Sequence, residues 1–136
     1  MTLSAVPLKC TIRLAMALFT KKLFYGVHEY FVFQEVIYQR CLAIELRRAG
    51  LDFEREKEQN IYYEEFHVGT RRADFIVENK VVVELKAVID LEDVHLAQAK
   101  NYVVAYQFAK GLLINFGAKS LQYKLIFNPH LNSANS

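Results

Sequence analysis

Val81-Val82-Val83, followed by Glu84-Leu85-Lys86, constrains the fold of this chain more than any other stretch. Three consecutive β-branched residues read as a strand buried on both faces, a pattern seen where a sheet is covered on both sides. The run Arg72-Ala73-Asp74-Phe75-Ile76-Val77 precedes it across Glu78-Asn79-Lys80, so the two runs predict a hairpin. Each arm carries a carboxylate, Asp74 on the first and Glu84 on the second. Residues i and i+2 of a strand share a face, so Glu84 and Lys86 project together.

At 136 residues the chain predicts one domain with a core that needs no disulfide or metal staple. A charged fraction of 24% and a net charge of +2 argue against wholesale disorder. They also mean that a phosphate polymer is not repelled globally, so any basic footprint has to be local. Cys10 and Cys41 lack metal-type spacing and read as thiols in a reducing compartment. The apolar patch Leu14–Phe19 is too short to span a bilayer, and no small-residue cleavage site follows it convincingly. The expectation is a soluble, cytoplasmic protein with no membrane partner.

The first two dozen residues are poorly patterned, with room for one short helix. A helix is expected over 31–49, on Phe33, Ile37, Cys41, Ile44 and Leu46, with Arg47 and Arg48 at its negative end and Gly50 as a stop. Phe53 to Tyr63 reads as two short strands around the turn Glu58-Gln59-Asn60. A second helix is expected over 90–110, capped by Asp90, with Asp93 in a capping-box position and Gly111 ending it. Leu112–Phe116 and Gln122–Phe127 complete the strands, and the tail from Asn128 reads as frayed. The order gives an α/β class, a mixed β-sheet flanked by two main helices.

An isolated Glu-x-Lys usually marks a surface ion pair. Here Asp74 and Glu84 stand at the end of a buried hairpin, where two carboxylates and a substrate phosphate suit a hard divalent cation. Lys86 beside them would orient a water or offset charge in a transition state. His95, Gln98 and Tyr102 share a helical face at i, i+3 and i+7. On this face Gln98 and Tyr102 would touch phosphate or support a metal shell, with Tyr102 as a core residue the plainer reading. Glu35 on the first helix reads as an exposed edge or a buried functional carboxylate. Arg71 and Arg72 would steer a phosphate backbone or solvate a strand end.

Taken in order, Arg72-Ala73-Asp74, Val83-Glu84-Leu85-Lys86-Ala87, His95-x-x-Gln98-x-x-Asn101-Tyr102 and Gly111-Leu112-Leu113-Ile114-Asn115-Phe116-Gly117 resemble the GxxExxY family. That group is placed in the PD-(D/E)xK, restriction-endonuclease-like nuclease superfamily, and the resemblance runs from about Phe33 to Asn128. It implies a metal-dependent nuclease using Mg²⁺ or Mn²⁺, with Asp74 and Glu84 as metal ligands and Lys86 as the lysine of the signature. Gln98 and Tyr102 match the helical Gln-x-x-x-Tyr element of its exonuclease-like branches. Glu35 and Tyr38 match the eponymous pair, and Glu35 becomes a conditional third ligand. Where the group carries glycine, this chain has Val32. The implied partner is nucleic acid, DNA ahead of RNA, reached through Arg71 and Arg72, and a homodimer fits the aromatic front segment. The corresponding division is 1–24 as a divergent segment, 25–128 as the nuclease-like domain and 129–136 as a tail. An inactive binding or assembly module on the same fold is the competing expectation.

Overall fold

The computed structural model describes residues 6–20 and 33–131; Phe31, Val32 and the tail beyond Leu131 lie outside them. The elements run α1 (Val6–Thr20), α2 (Glu35–Arg48), β1 (Phe53–Tyr63), β2 (Phe66–Val77), β3 (Val81–Lys86), α3 (Asp93–Tyr106), β4 (Lys110–Asn115) and β5 (Gln122–Phe127). The five strands form one sheet in sequence order. Only β3 and β4 pair in parallel, with α3 as the crossover between them; the other pairs are antiparallel. This is the mixed α/β sheet that the sequence predicts.

The buried valines explain the centre. Val81 to Leu85 are buried without a break, because helices cover both faces of β3. On one side α1 and α2 seal a cluster that includes Leu18, Leu42, Leu46, Phe75, Leu85 and Phe116. Tyr38 stacks on Phe116 there at 4.7 Å between ring centres. On the other side α3 closes a smaller cluster of Ala73, Ile76, Val82, Ala99, Val103, Leu113 and Ile126. No helix among the described residues is long and apolar enough to cross a membrane.

Several sequence expectations give way to longer-range contacts. Phe53–Tyr63 is one continuous strand, and its turn lies at Glu64-Glu65, where Glu64 has φ 53°. Gln59, placed in a turn from sequence, instead donates to the Ala105 carbonyl of α3. The apolar stripe of α2 is also out of phase. Tyr38, Gln39, Leu42, Ala43 and Leu46 face inward, whereas Ile44 is 46% exposed.

The limits of α3 shift inward at both ends. Glu92 precedes it, and His95 Nδ1 accepts the Glu92 amide at 2.9 Å; Asp90 instead accepts from the Gln122 side chain. The helix ends at Gln107 in the left-handed region. Gly111 belongs to β4, where a Cβ would come within 2.5 Å of Val103 Cγ1, so its small size lets α3 sit on the sheet. Asn128 is buried, and its amide donates to the carbonyls of Val103 and Phe108 at 3.2 and 3.1 Å. The chain is therefore pinned where the tail was expected to fray.

Candidate active site

The hairpin β2–β3 is regular near its turn and opens at its far end. Phe75, Ile76 and Val77 pair with Val83, Val82 and Val81, and the ladder stops there. Asp74 also has no partner on β1, where the pairing passes from Arg55–Phe75 to Lys57–Ala73 around Glu56, which has φ 50°. The strand turns over at this point. Residues two apart normally share a face, yet Ala73 joins the α3-side cluster and Phe75 the α2-side cluster.

Side chains replace the missing ladder bonds. The Asp74 amide donates to Glu84 Oε1 at 2.9 Å, and the Leu85 amide donates to Asp74 Oδ2 at 2.7 Å. Each carboxylate thus holds the backbone of the opposite strand, and the two acids are fixed side by side. Glu84 is 8% exposed, and its Oε2 meets no protein donor among the described residues.

Charge in such a place is costly. Burial is the main force raising the Glu84 carboxyl to about 9, and the neighbouring Asp74 charge adds to it. Asp74 is raised too, first by burial and then by Glu35, against the opposing bonds from Leu85 and Gln39. The positive charge of Lys86 draws both acids down, yet Lys86 makes no ion pair within 4.0 Å among the described residues. The surface ion pair that a lone Glu-x-Lys suggests is not formed.

Two residues missing from the sequence reading support Asp74, Gln39 directly and Arg55 through Gln39. Gln39 of α2 donates to Asp74 Oδ1 at 3.0 Å and accepts from Arg55 at 2.7 Å. Arginine can only donate, so it claims the amide oxygen and forces the amide nitrogen toward Asp74. Arg55 is itself steadied over the Phe75 ring, 5.9 Å from its centre. Gln39 lies one turn beyond Glu35 in the sequence, a spacing that could have drawn attention to it. Asn115 fixes the other flank: its side chain accepts from Val88 N and Gly117 N, and donates to Val88 O, which holds the chain that follows Lys86.

The remaining candidates divide. Ile61, Arg71, Glu84, Lys86, Gln98 and Tyr102 line an open cleft of about 380 Å³ between the β1–β2 hairpin and α3, and Asn101 completes it. Gln98 is exposed and Tyr102 half-buried. Tyr102 keeps its proton to higher pH than usual because of burial and the nearby Glu84 and Asp74 charges. His95 is committed to the start of α3. Arg72 lies outside the cleft, paired with Glu58 at 3.4 Å. Glu35 sits exposed in the first turn of α2, near enough for its charge to act on both acids. No group of three or more acidic, His or Cys side chains is close enough to hold a metal among the described residues.

The chemistry of the donors nonetheless fits a hard divalent cation. Two adjacent acids resist ionising because they are buried together, and a cation would remove that penalty and take up Glu84 Oε2, the oxygen of the pair that faces no donor among the described residues. Residues 19–126 match the family model of the PD-(D/E)XK nuclease superfamily. The chain belongs to the PD-(D/E)XK nuclease superfamily. The structure of SSO0001 is similar at a TM-score of 0.57 and 24% identity, covering 74% of this chain and 53% of that one. The likeness supports the fold, and this chain spans about half the length of that protein. No curated protein matches. Nucleases of this superfamily act on nucleic acid and generally use divalent metals.

Proposed function

We propose that this superfamily member hydrolyses phosphodiester bonds of nucleic acid with Mg²⁺ or Mn²⁺. The observation that carries the reading is the exchange of backbone amides that locks Asp74 and Glu84 together beside Lys86. Asp74 and Glu84 would hold the metal, with Glu35 a third ligand if the first turn of α2 draws inward. When bound, the ion supplies a water of lowered pKa and positive charge for the developing phosphate oxyanion.

The chain's own groups do the rest. Lys86 Nζ, beside both acids and free of an ion pair among the described residues, orients the attacking water and offsets charge in the transition state. Tyr102 retains its phenolic proton and donates it in a hydrogen bond to a phosphate oxygen, with Gln98 alongside. Of the two arginines, Arg71 faces the cleft and is the one that meets substrate. Glu35 at the start of α2 and Tyr38 against Phe116 support a place beside the GxxExxY group. The half-buried thiols Cys10 and Cys41 suit a reducing cytoplasm.

The test is cleavage of labelled DNA and RNA by purified protein with Mg²⁺ or Mn²⁺, in parallel with Asp74→Ala and Lys86→Ala. Cleavage by the wild type alone supports the reading. Equal cleavage by all three preparations sinks it, because the activity then comes from elsewhere.

A further inference from the structure

The two edges of the sheet, β1 and β5, are not alike. An open edge offers unpaired backbone to another strand, and charge or irregular backbone along it discourages pairing. β1 has both: Glu54-Arg55-Glu56-Lys57-Glu58 runs through it, and Glu56 has φ 50°. β5 has no positive φ and a single charged residue, Lys124. Its backbone bonds to β4, and no other backbone bond leaves Gln122–Phe127 among the described residues.

The side chains of β5 leave apolar surface outside. Lys124 and Ile126 point to the α3 side, where Ile126 is buried. Tyr123 and Leu125 pair with Ile114 and Leu112 of the cluster under α1 and α2, yet they stay 42% and 44% exposed. Phe127 continues the row at 48%. An apolar row thus lies uncovered beside an uncovered backbone edge. Tyr62, Tyr63 and Phe66 at the β1–β2 tip are also exposed, but Glu64-Glu65 sits among them, so a self-paired tip opposes like charges.

We propose that β5 joins two copies of this chain, edge to edge and antiparallel, merging their five-stranded sheets into one. The strand is complementary to itself. About a two-fold axis at Leu125, that residue meets its own copy, Tyr123 meets Phe127, and Lys124 meets Ile126. Aromatic pairs directly opposite on one face stabilise a ladder, whereas a register centred on Lys124 opposes two lysines. Tyr123 and Phe127 each leave roughly 90 Å² outside, and Leu125 somewhat less. Two copies thus bring roughly 500 Å², about half of what a specific interface needs before the paired backbone is counted. The association is therefore weak, and the dimer fraction follows concentration.

The axis stands perpendicular to the merged sheet, so both clefts open on one side of the dimer. Glu84, Leu113 and Lys124 align across β3, β4 and β5, one residue from the axis. The two Glu84 residues are about five strand spacings apart, roughly 24 Å. The joint itself does not depend on the nuclease reading.

The experiment is sedimentation equilibrium of the full chain over a range of concentrations. The mass is expected to rise from 15.8 kDa toward twice that value. Leu125→Arg sets two arginines across the axis and should hold the chain at the monomer mass with native circular dichroism. Phe66→Arg, at the hairpin tip, should dimerise like the wild type. Leu125→Cys places two thiols directly opposite and should cross-link copies under mild oxidation. Tyr123→Cys, whose copies stand four residues or roughly 13 Å apart, should cross-link no more than the wild type. A wild type that stays monomeric, a dimer that survives Leu125→Arg, or loss of the dimer in Phe66→Arg overturns the joint. So does a Leu125→Cys protein that fails to cross-link, or one that cross-links no better than Tyr123→Cys.

Discussion

The two faces of the sheet are built for different ends. The face under α1 and α2 is sealed: Leu42, Leu46, Phe75 and Leu85 are almost completely buried. The face under α3 is sealed only in part, and beside its smaller cluster it opens into a cleft lined by Glu84, Lys86, Arg71 and Gln98. Asp74 stands where β2 turns over from one face to the other. Gln39 on the sealed side holds one of its oxygens, while its neighbour Glu84 looks into the cleft. The contrast teaches that the sealed face supplies rigidity and the open face spends it on holding two acids together.

The contrast predicts that activity and stability separate by face. Lys86→Ala, on the open face, should lower cleavage at least about a hundredfold while the circular dichroism stays native. Leu42→Ala, on the sealed face, should cost about 2–5 kcal/mol in urea denaturation, while the protein that remains folded still binds Mn²⁺. A reversal of either result would mean that the faces are not so divided.

Gln39 tests the join between the faces. Gln39→Met keeps much of the volume but removes the donor to Asp74 and leaves Arg55 without its acceptor. Mn²⁺ affinity should fall about tenfold, measured by calorimetry. An unchanged affinity would show that Asp74 needs no such support.

The smallest effect concerns pH. Folded Glu84 keeps its proton up to about 9, whereas the unfolded chain releases it near the ordinary glutamate value of 4.5. Between these values the folded state holds more protons, so metal-free stability is greatest at low pH and declines as pH rises through this window. Glu84→Gln retains an acceptor for the Asp74 amide without the charge. It should raise the metal-free Tm at pH 8 by about 4 °C or more and flatten the pH dependence. A variant less stable than wild type at pH 8 would show that the carboxylate is not strained there.

The parts of this design that the sequence reveals are those set by local pattern. The valines of β3, the turn at Glu78-Asn79 and the apolar β4 follow from side-chain type and spacing, and they bring Asp74 beside Glu84. What escapes is decided by distant partners. Glu58-Gln59-Asn60 within β1 resembles a turn between two strands because an edge strand tolerates such polar residues, and the strand's unbroken course depends on β2 and on Ala105 of α3. The inward face of α2 is mistaken because a buried Gln39 breaks the apolar stripe, and only Asp74 and Arg55 explain its burial. Arg71 and Arg72 look alike in sequence, and strand alternation sends one to the cleft and the other to Glu58.

Calorimetric titration of the folded protein with Mn²⁺, beside Asp74→Asn, tests the metal centre most directly. The account predicts saturable binding by the wild type and none by the variant at the same concentrations. A folded wild type that binds no Mn²⁺ at millimolar concentration would contradict it and leave the acids as a relict within a binding module.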